Sequence, residues 1–374
     1  MVRAPGPPDN PFRYSSPVGI DDLIDRDDET DLLLATAREG NNSRLVAPRR
    51  FGKTSLLRRV LGEAGADGWT GVYVDFFGAL SLAEVAERIE RAYVGSLTGK
   101  AARWFDGVRR TLRPQLTAGA GPVSVKARLE PVTETLADRL DLPLRVYEKF
   151  GTRVLVVFDE FQEIMAADTK ADSLLRAAIQ HHGDAASYIF AGSHVGMMTA
   201  LFTDRRRAFY AQAKPVPLPP LPPTACADFI SNRFAATNKD VGSALGPLLD
   251  ATEGHPQRTV LLAHAVWERV EHNGVADAEA FAAAHAHLMT ELSDEFRVLW
   301  TDLPSGQRRV LAAICDQARP YGRGAAGSRG GAVRAALLRL VERGDLVTDP
   351  AAVSGYRVVD PLLASWVREQ RAKP

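Results

Sequence analysis

Residues 154–158, Val-Leu-Val-Val-Phe, are apolar without interruption. That is the pattern of a central parallel strand covered on both faces. Residues 72–76 and 188–191 read as two more buried strands, 44–47 as a short one, and 216–218 as a last. Stretches of helical spacing alternate with them. Leu32 to Ala35 follow acids at 28, 29 and 31 and end at Gly40. Residues 55–63, 81–97 (Leu82, Val85, Ile89 and Tyr93 near one face), 103–113, 133–150 and 173–182 continue the series. Strand–helix alternation of this kind predicts an α/β fold, a parallel sheet with helices on both faces. Residues 117–122 and the alternating 123–129 interrupt it and read as an insertion with a short exposed strand.

The prolines at 219, 220, 222 and 223 mark a boundary. Beyond it the spacing is wholly helical over 225–236, 245–251, 257–271 and 277–292. From Pro304 a helix (305–318), a Gly/Arg-rich loop (319–331), a second helix (332–343) and two short strands around a turn (344–348, 356–359) form a winged-helix-like pattern. The expected domains are a flexible arm over 1–17, an α/β domain over 18–223, a helical lid over 224–299 and a winged-helix-like domain over 300–374.

Composition narrows the classes. Of 374 residues, 45% are hydrophobic and 25% charged, and the 46 basic residues balance the 46 acidic ones. A normal core is expected, with no global field favouring nucleic acid or membrane. Cys226 and Cys315 lack metal or disulfide spacing and are expected as buried thiols. Residues 1–17 have no apolar h-region, and no run of 18 apolar residues occurs, so a cytoplasmic protein without membrane spans is expected.

The chemistry concentrates at two strand ends. After the first strand comes Ala47-Pro48-Arg49-Arg50-Phe51-Gly52-Lys53-Thr54-Ser55, then a helix. Backbone amides of a loop so placed wrap phosphates, and the helix dipole adds to them. Lys53 would reach the β and γ phosphates of ATP, and Thr54 would place its hydroxyl on Mg²⁺. Ala47 stands where the full G-x-x-x-x-G-K-[ST] pattern has its first glycine. The second strand end is Phe158-Asp159-Glu160. A buried carboxylate needs a partner. Asp159 would hold the magnesium ion and Glu160 would orient and deprotonate a water. The competing reading makes Asp159 the cap of a helix beginning near Phe161.

These motifs, with Leu23-Ile24-Asp25-Arg26, Phe190-Ala191-Gly192-Ser193, Phe209-Tyr210, Gly254-His255-Pro256 and Asp360-Pro361 before Trp366, make the chain resemble the prokaryotic "archaeal-type" ATPases, a branch of the STAND and AAA+ P-loop ATPases. The resemblance covers about residues 17–370. It implies a five-stranded sheet of order 5-1-4-3-2, a lid and a winged helix. It places Ile24 and Arg26 near the adenine, Gly254 and Pro256 over the base, and Ser193 at the position that senses the γ-phosphate or the attacking water, with His194 as its neighbour. It implies an ATP-hydrolysing switch that binds ATP and ADP, with a protein partner and a nucleotide-dependent oligomer as expectations.

Two basic segments stay open. Arg205-Arg206-Arg207 read as a solvated basic face or as the source of an arginine finger. Residues 300–374 carry 12 Lys+Arg against 7 Asp+Glu, so Arg334, Arg339 and Arg343 are candidates for a DNA groove, and Arg323 and Arg329 for phosphates. The alternatives to the switch are a nucleotide-sensing DNA-binding regulator and a non-hydrolysing scaffold.

Overall fold

The structure, a computed structural model, describes residues 9–16, 19, 22–111, 132–320 and 330–372. The strand expected within 123–129, and Arg323 and Arg329, lie outside the described residues. The chain forms two compact units: Asp27–Val46 with Leu56–Pro217, and Leu218–Pro374 with the segment ending at Arg26 and the loop Ala47–Ser55.

The first unit is built on helix α1 (Asp27–Arg38), strand β1 (Ser43–Val46), α2 (Lys53–Ala66, whose first three residues belong to the other unit), β2 (Thr70–Asp75), α3 (Leu82–Ser96), α4 (Gly99–Thr111), α5 (Val132–Leu140), α6 (Leu142–Phe150), β3 (Val154–Asp159), α7 (Ile164–Ala167), α8 (Ala171–Ile179), β4 (Ala186–Gly192), α9 (Val195–Thr203) and β5 (Lys214–Val216). All strand pairings are parallel and the order is β2-β3-β4-β1-β5, the order expected. Strands β3 and β4 are buried along their whole length, which is why their sequences read as unbroken apolar runs. Phe158 pairs in register with Phe190, and with Phe161, Phe202 and Phe209 these form an aromatic core.

Several boundaries differ from expectation for local reasons. The helix expected over 133–150 is two helices broken at Asp141. Pro143 enters the first turn of α6, where a missing N–H is harmless but the helix cannot run through. The last strand lies at 214–216, not 216–218. It tolerates Pro215 because it is the sheet edge, bonded only to β1. Helix α9 has only Thr199 and Thr203 as polar side chains among its nine residues, so its sequence shows little helical periodicity and no helix is expected there.

In the second unit, α10 (Pro223–Ala235), α11 (Leu245–Thr252), α12 (Pro256–Trp267) and α13 (Ala278–Asp302) are followed by α14 (Ser305–Cys315), α15 (Gly330–Arg343), an antiparallel pair β6 (Leu346–Thr348) and β7 (Tyr356–Val358), and α16 (Pro361–Ala372). One apolar cluster joins them, from Phe12 and Phe234 through Leu262 and Phe296 to Leu340 and Trp366. Helix α13 runs ten residues past its expected end. Phe296 continues its buried side, and Leu303 before Pro304 stops it in extended backbone. Within the expected N-terminal arm, Phe12 is fully buried against Phe229 and Phe234, and its carbonyl lies 2.9 Å from His264 Nδ1. That part of the arm is fixed by packing. Cys226 and Cys315 are buried and unpaired thiols, as expected.

Candidate functional site

The carboxyl edge of the sheet carries the chemistry read from the sequence. The loop 47–52 leaves the end of β1, Asp159 ends β3, and Ser193 follows the end of β4. Strand β4 pairs with both of the others, so the three ends are neighbours along one edge. This is where open parallel sheets bind their ligands.

The loop is tightly specified. Gly52 sits at φ +83, a left-handed conformation that costs glycine nothing, and Arg50 at φ +66 adopts the same region without that licence. Such turns gather successive N–H groups into an anion-binding hollow. Lys53 is the first residue of α2 and is 6% exposed. A nearly buried ammonium at a helix start, ahead of Thr54 and Ser55, suits a phosphate. Ala47 is buried, so the unit accommodates its methyl where the common pattern has glycine. Pro48 and Phe51 are buried too, and Arg49 and Arg50 are exposed.

The outward residues of the loop are tied to helices of the same unit. Arg50 pairs with Glu295 of α13 at 2.8 Å. The Phe51 ring meets His255 edge-on at 5.2 Å. His255 caps α12, its Nδ1 accepting from the Arg258 amide, and burial pulls its pKa down to about 4. Arg258, 2% exposed, donates from Nε (2.9 Å) and Nη2 (2.5 Å) to Asp360, lies 3.8 Å from Glu295, and stacks over Phe296. Asp360 in turn accepts from the Leu362 and Leu363 amides and so caps α16.

At the end of β3, Asp159 is buried. It accepts from Tyr73 of β2 at 2.5 Å and from the Glu160 amide at 2.9 Å. The helix-cap reading of Asp159 is not what forms, because the residue at the cap position is Glu160, itself left-handed at φ +49. Three donors meet on Glu160 Oε2: the Ser193 hydroxyl (2.8 Å), the Ser193 amide (3.1 Å) and the Gln162 side-chain amide (2.6 Å). The structure thus brings Asp159, Glu160 and Ser193 into one hydrogen-bonded group. His194 instead caps α9.

Ile24, Arg26, Gly254 and Pro256 gather in the unit of the loop. Ile24 packs on Leu221 and Cys226. Arg26, buried at φ +86, donates to the Pro219 carbonyl at 2.8 Å. The Leu221 amide donates to the Gly254 carbonyl at 2.8 Å, and Pro256 occupies the first turn of α12. Arg206 is paired with Asp204, and Arg207 lies 3.6 Å from Asp172.

Among the described residues no cluster of three His, Cys, Asp or Glu could cage a metal. Magnesium does not need one, since it binds through one or two carboxylates together with substrate phosphates. Asp159, a buried carboxylate at a strand end, is a donor of that kind. Sequence reasoning missed Tyr73, Gln162 and the Arg258–Asp360 pair. A usable signal existed for the pair, since Arg258 falls on the apolar face that holds Leu261, Leu262 and Ala265, and an arginine there needs an acid.

Among solved structures, the chain is similar to a Walker-type ATPase of Pyrococcus abyssi, with 19% identity over 96% of this chain and 99% of that one and a TM-score of 0.68. It is also similar to the Aeropyrum pernix ORC2 protein in ADPNP–ADP complexes (14% identity, 97% and 98% of the two chains, TM-score 0.55) and in its ADP form (15%, 96% and 98%, TM-score 0.53). No family model and no curated protein sequence matches the chain. What is shared at these identities is the fold, that of the AAA+ P-loop ATPases.

Proposed function

We propose that the chain is an ATP-binding and ATP-hydrolysing switch of the STAND/AAA+ type, similar to the archaeal-type ATPases with a C-terminal winged helix. The observation that carries this reading is the carboxyl edge of the sheet. There a bonded trio of Asp159, Glu160 and Ser193 stands beside the strand that feeds a Gly-Lys-Thr loop into α2. The loop amides and Lys53 would hold the phosphates, with Ile24, Arg26, Gly254 and Pro256 around the base. Thr54 and Asp159 would hold Mg²⁺, which when bound neutralises charge on the phosphate oxygens. Glu160 would orient water and take its proton, and Ser193 steadies that carboxylate.

The coupling half of the proposal rests on the ties between the loop and the lid. Residues 224–299 serve as lid and 300–374 as the winged-helix-like output. Arg50, Glu295, Arg258 and Asp360 form a chain of charges from the phosphate loop to the cap of α16. A nucleotide that reorders residues 50–53 would alter its first link. The partner of the output module is then a protein. Leu338 is 51% exposed on α15, and two of the three candidate groove arginines, Arg339 and Arg343, have acidic partners in Glu342 and Asp345. A DNA-binding regulator is the second reading, favoured by the exposed Arg334 and Arg309. A cytoplasmic location accords with the finding that, among the described residues, no helix is long and apolar enough to cross a membrane.

Phosphate release and nucleotide binding test the proposal together. Glu160→Gln keeps ATP affinity and loses turnover by roughly 100-fold or more, and Lys53→Ala loses affinity. Wild-type turnover in both variants would refute hydrolysis at this site. Turnover too low to measure in the wild type, with tight ATP binding and duplex affinity that falls steeply with salt, would support the regulator instead.

A further inference from the structure

Gln162 belongs to no part of the reading above, yet its placement is costly. It is 2% exposed, and its Oε1 has no hydrogen-bond partner. Buried amides without their full complement of bonds are rare in native proteins. Among the described residues its side chain makes one bond, the 2.6 Å donation from Nε2 to Glu160 Oε2. A carboxylate cannot donate in return, so the amide's orientation is fixed by this bond.

The backbone has been cleared to admit it. A Cβ on Gly192 would stand 2.3 Å from Gln162 Oε1 and 2.6 Å from Met198 Cγ. Gly192 ends β4 in extended backbone immediately before Ser193. The glycine leaves room for this side chain and for Met198. Two neighbouring residues thus serve one carboxylate: Ser193 donates to it twice, and Gly192 makes room for the third donor.

We infer that Gln162 is a positioning residue for the proposed hydrolysis, fixing with Ser193 which oxygen Glu160 turns to the reacting water. The left-handed backbone of Glu160 lifts its side chain off the line of β3, and without a tether that side chain has three torsions to explore. Three donors on Oε2 hold the carboxylate in one orientation. The inference rests on Glu160 being the base.

The test is steady-state ATPase kinetics with ATP-binding measurements on the full chain, for Gln162→Ala, Gly192→Ala and Glu160→Gln. Gln162→Ala is expected to lower kcat roughly 10–100-fold, the scale of a misplaced catalytic group, with KM and ATP affinity near wild type. A loss in kcat with KM and ATP affinity unchanged is a split that a packing role alone, which would disturb both, does not give. Gly192→Ala is expected to lower kcat as well by crowding the amide, but its methyl also stands 2.6 Å from Met198 Cγ, so Gln162→Ala carries the test. Where Gly192→Ala fails to fold, Gln162→Ala decides alone. If Glu160→Gln abolishes turnover while Gln162→Ala keeps wild-type kcat, the inference is overturned and the base stands. If Glu160→Gln turns over normally, the base reading falls and takes the inference with it.

Discussion

Asp360 offers a prediction whose size follows from its surroundings. It is 19% exposed, while its partner Arg258 is 2% exposed. Truncating the acid leaves a guanidinium inside the apolar cluster, with Glu295 at 3.8 Å as its remaining anion. Removing one partner of a buried pair costs about 3–5 kcal/mol, and the partial exposure of Asp360 and the help from Glu295 point to the lower end, ~3 kcal/mol. Loss of the two cap bonds to Leu362 and Leu363 adds about 1 kcal/mol. Asp360→Ala is therefore expected to destabilise by about 4 kcal/mol, and Asp360→Asn, which keeps the cap oxygen, by about 3 kcal/mol. Arg258→Met should cost far less, because it removes the charge together with the need for a partner. The double variant Arg258→Met/Asp360→Asn should be more stable than Asp360→Asn alone. Urea unfolding followed by circular dichroism gives the order. Hydrogen exchange of α16, whose Trp366 indole donates to Ser293 of α13, localises the effect. A change below about 0.5 kcal/mol for Asp360→Asn, the range of ordinary surface substitutions, would refute the reasoning. So would strict additivity of the double.

Two further outcomes follow from the same unit. The folded pKa of His255 lies at about 4, below an ordinary value near 6.5, so the unfolded chain binds the extra proton. Stability is then full above pH 6.5 and falls between about 6.5 and 4, by on the order of 3 kcal/mol, and a cap-preserving His255→Asn should flatten that limb in denaturation midpoints measured across pH. Gly254→Ala places a Cβ 2.2 Å from the Leu221 carbonyl oxygen at φ +70, where backbone cannot give way, and should destabilise by more than about 2 kcal/mol; a melting temperature equal to wild type would show that Leu221 and Gly254 separate freely.

What the sequence disclosed was what period and punctuation encode. Strands β3 and β4 are covered on both faces, so burial alone wrote them as apolar runs. The loop announced itself by Gly52-Lys53-Thr54 between a strand and a helix. The break at Asp141 was legible in principle from Pro143, but the apolar spacing on either side concealed it. The donors on Glu160 and the clamp on Asp360 follow a different logic. Arg258 and Asp360 are 102 positions apart, and no local pattern selects one acid among 46. Gln162 is adjacent to the carboxylate motif, yet its meaning depends on Gly192, which reads from sequence as the end of a strand.

The charge chain is graded, and the grading bears on how the proposed switch would work. Its inner link, Arg258 to Asp360, is buried and strong. Its outer link, Arg50 to Glu295, joins side chains about half and two-fifths exposed, a class of contact worth about 0–1 kcal/mol. A loop held to α13 by so little can be rearranged by a ligand that binds through many amides, since the ligand need only exceed the weakest link. Had the strong pair faced the loop, nucleotide would have had to break a buried ion pair at each cycle. With the weak pair outside and the strong pair inside, the cap of α16 stays assembled while Arg50 changes partners. Glu295, within 4 Å of both arginines, is the residue through which a movement of the loop would alter the field on Arg258.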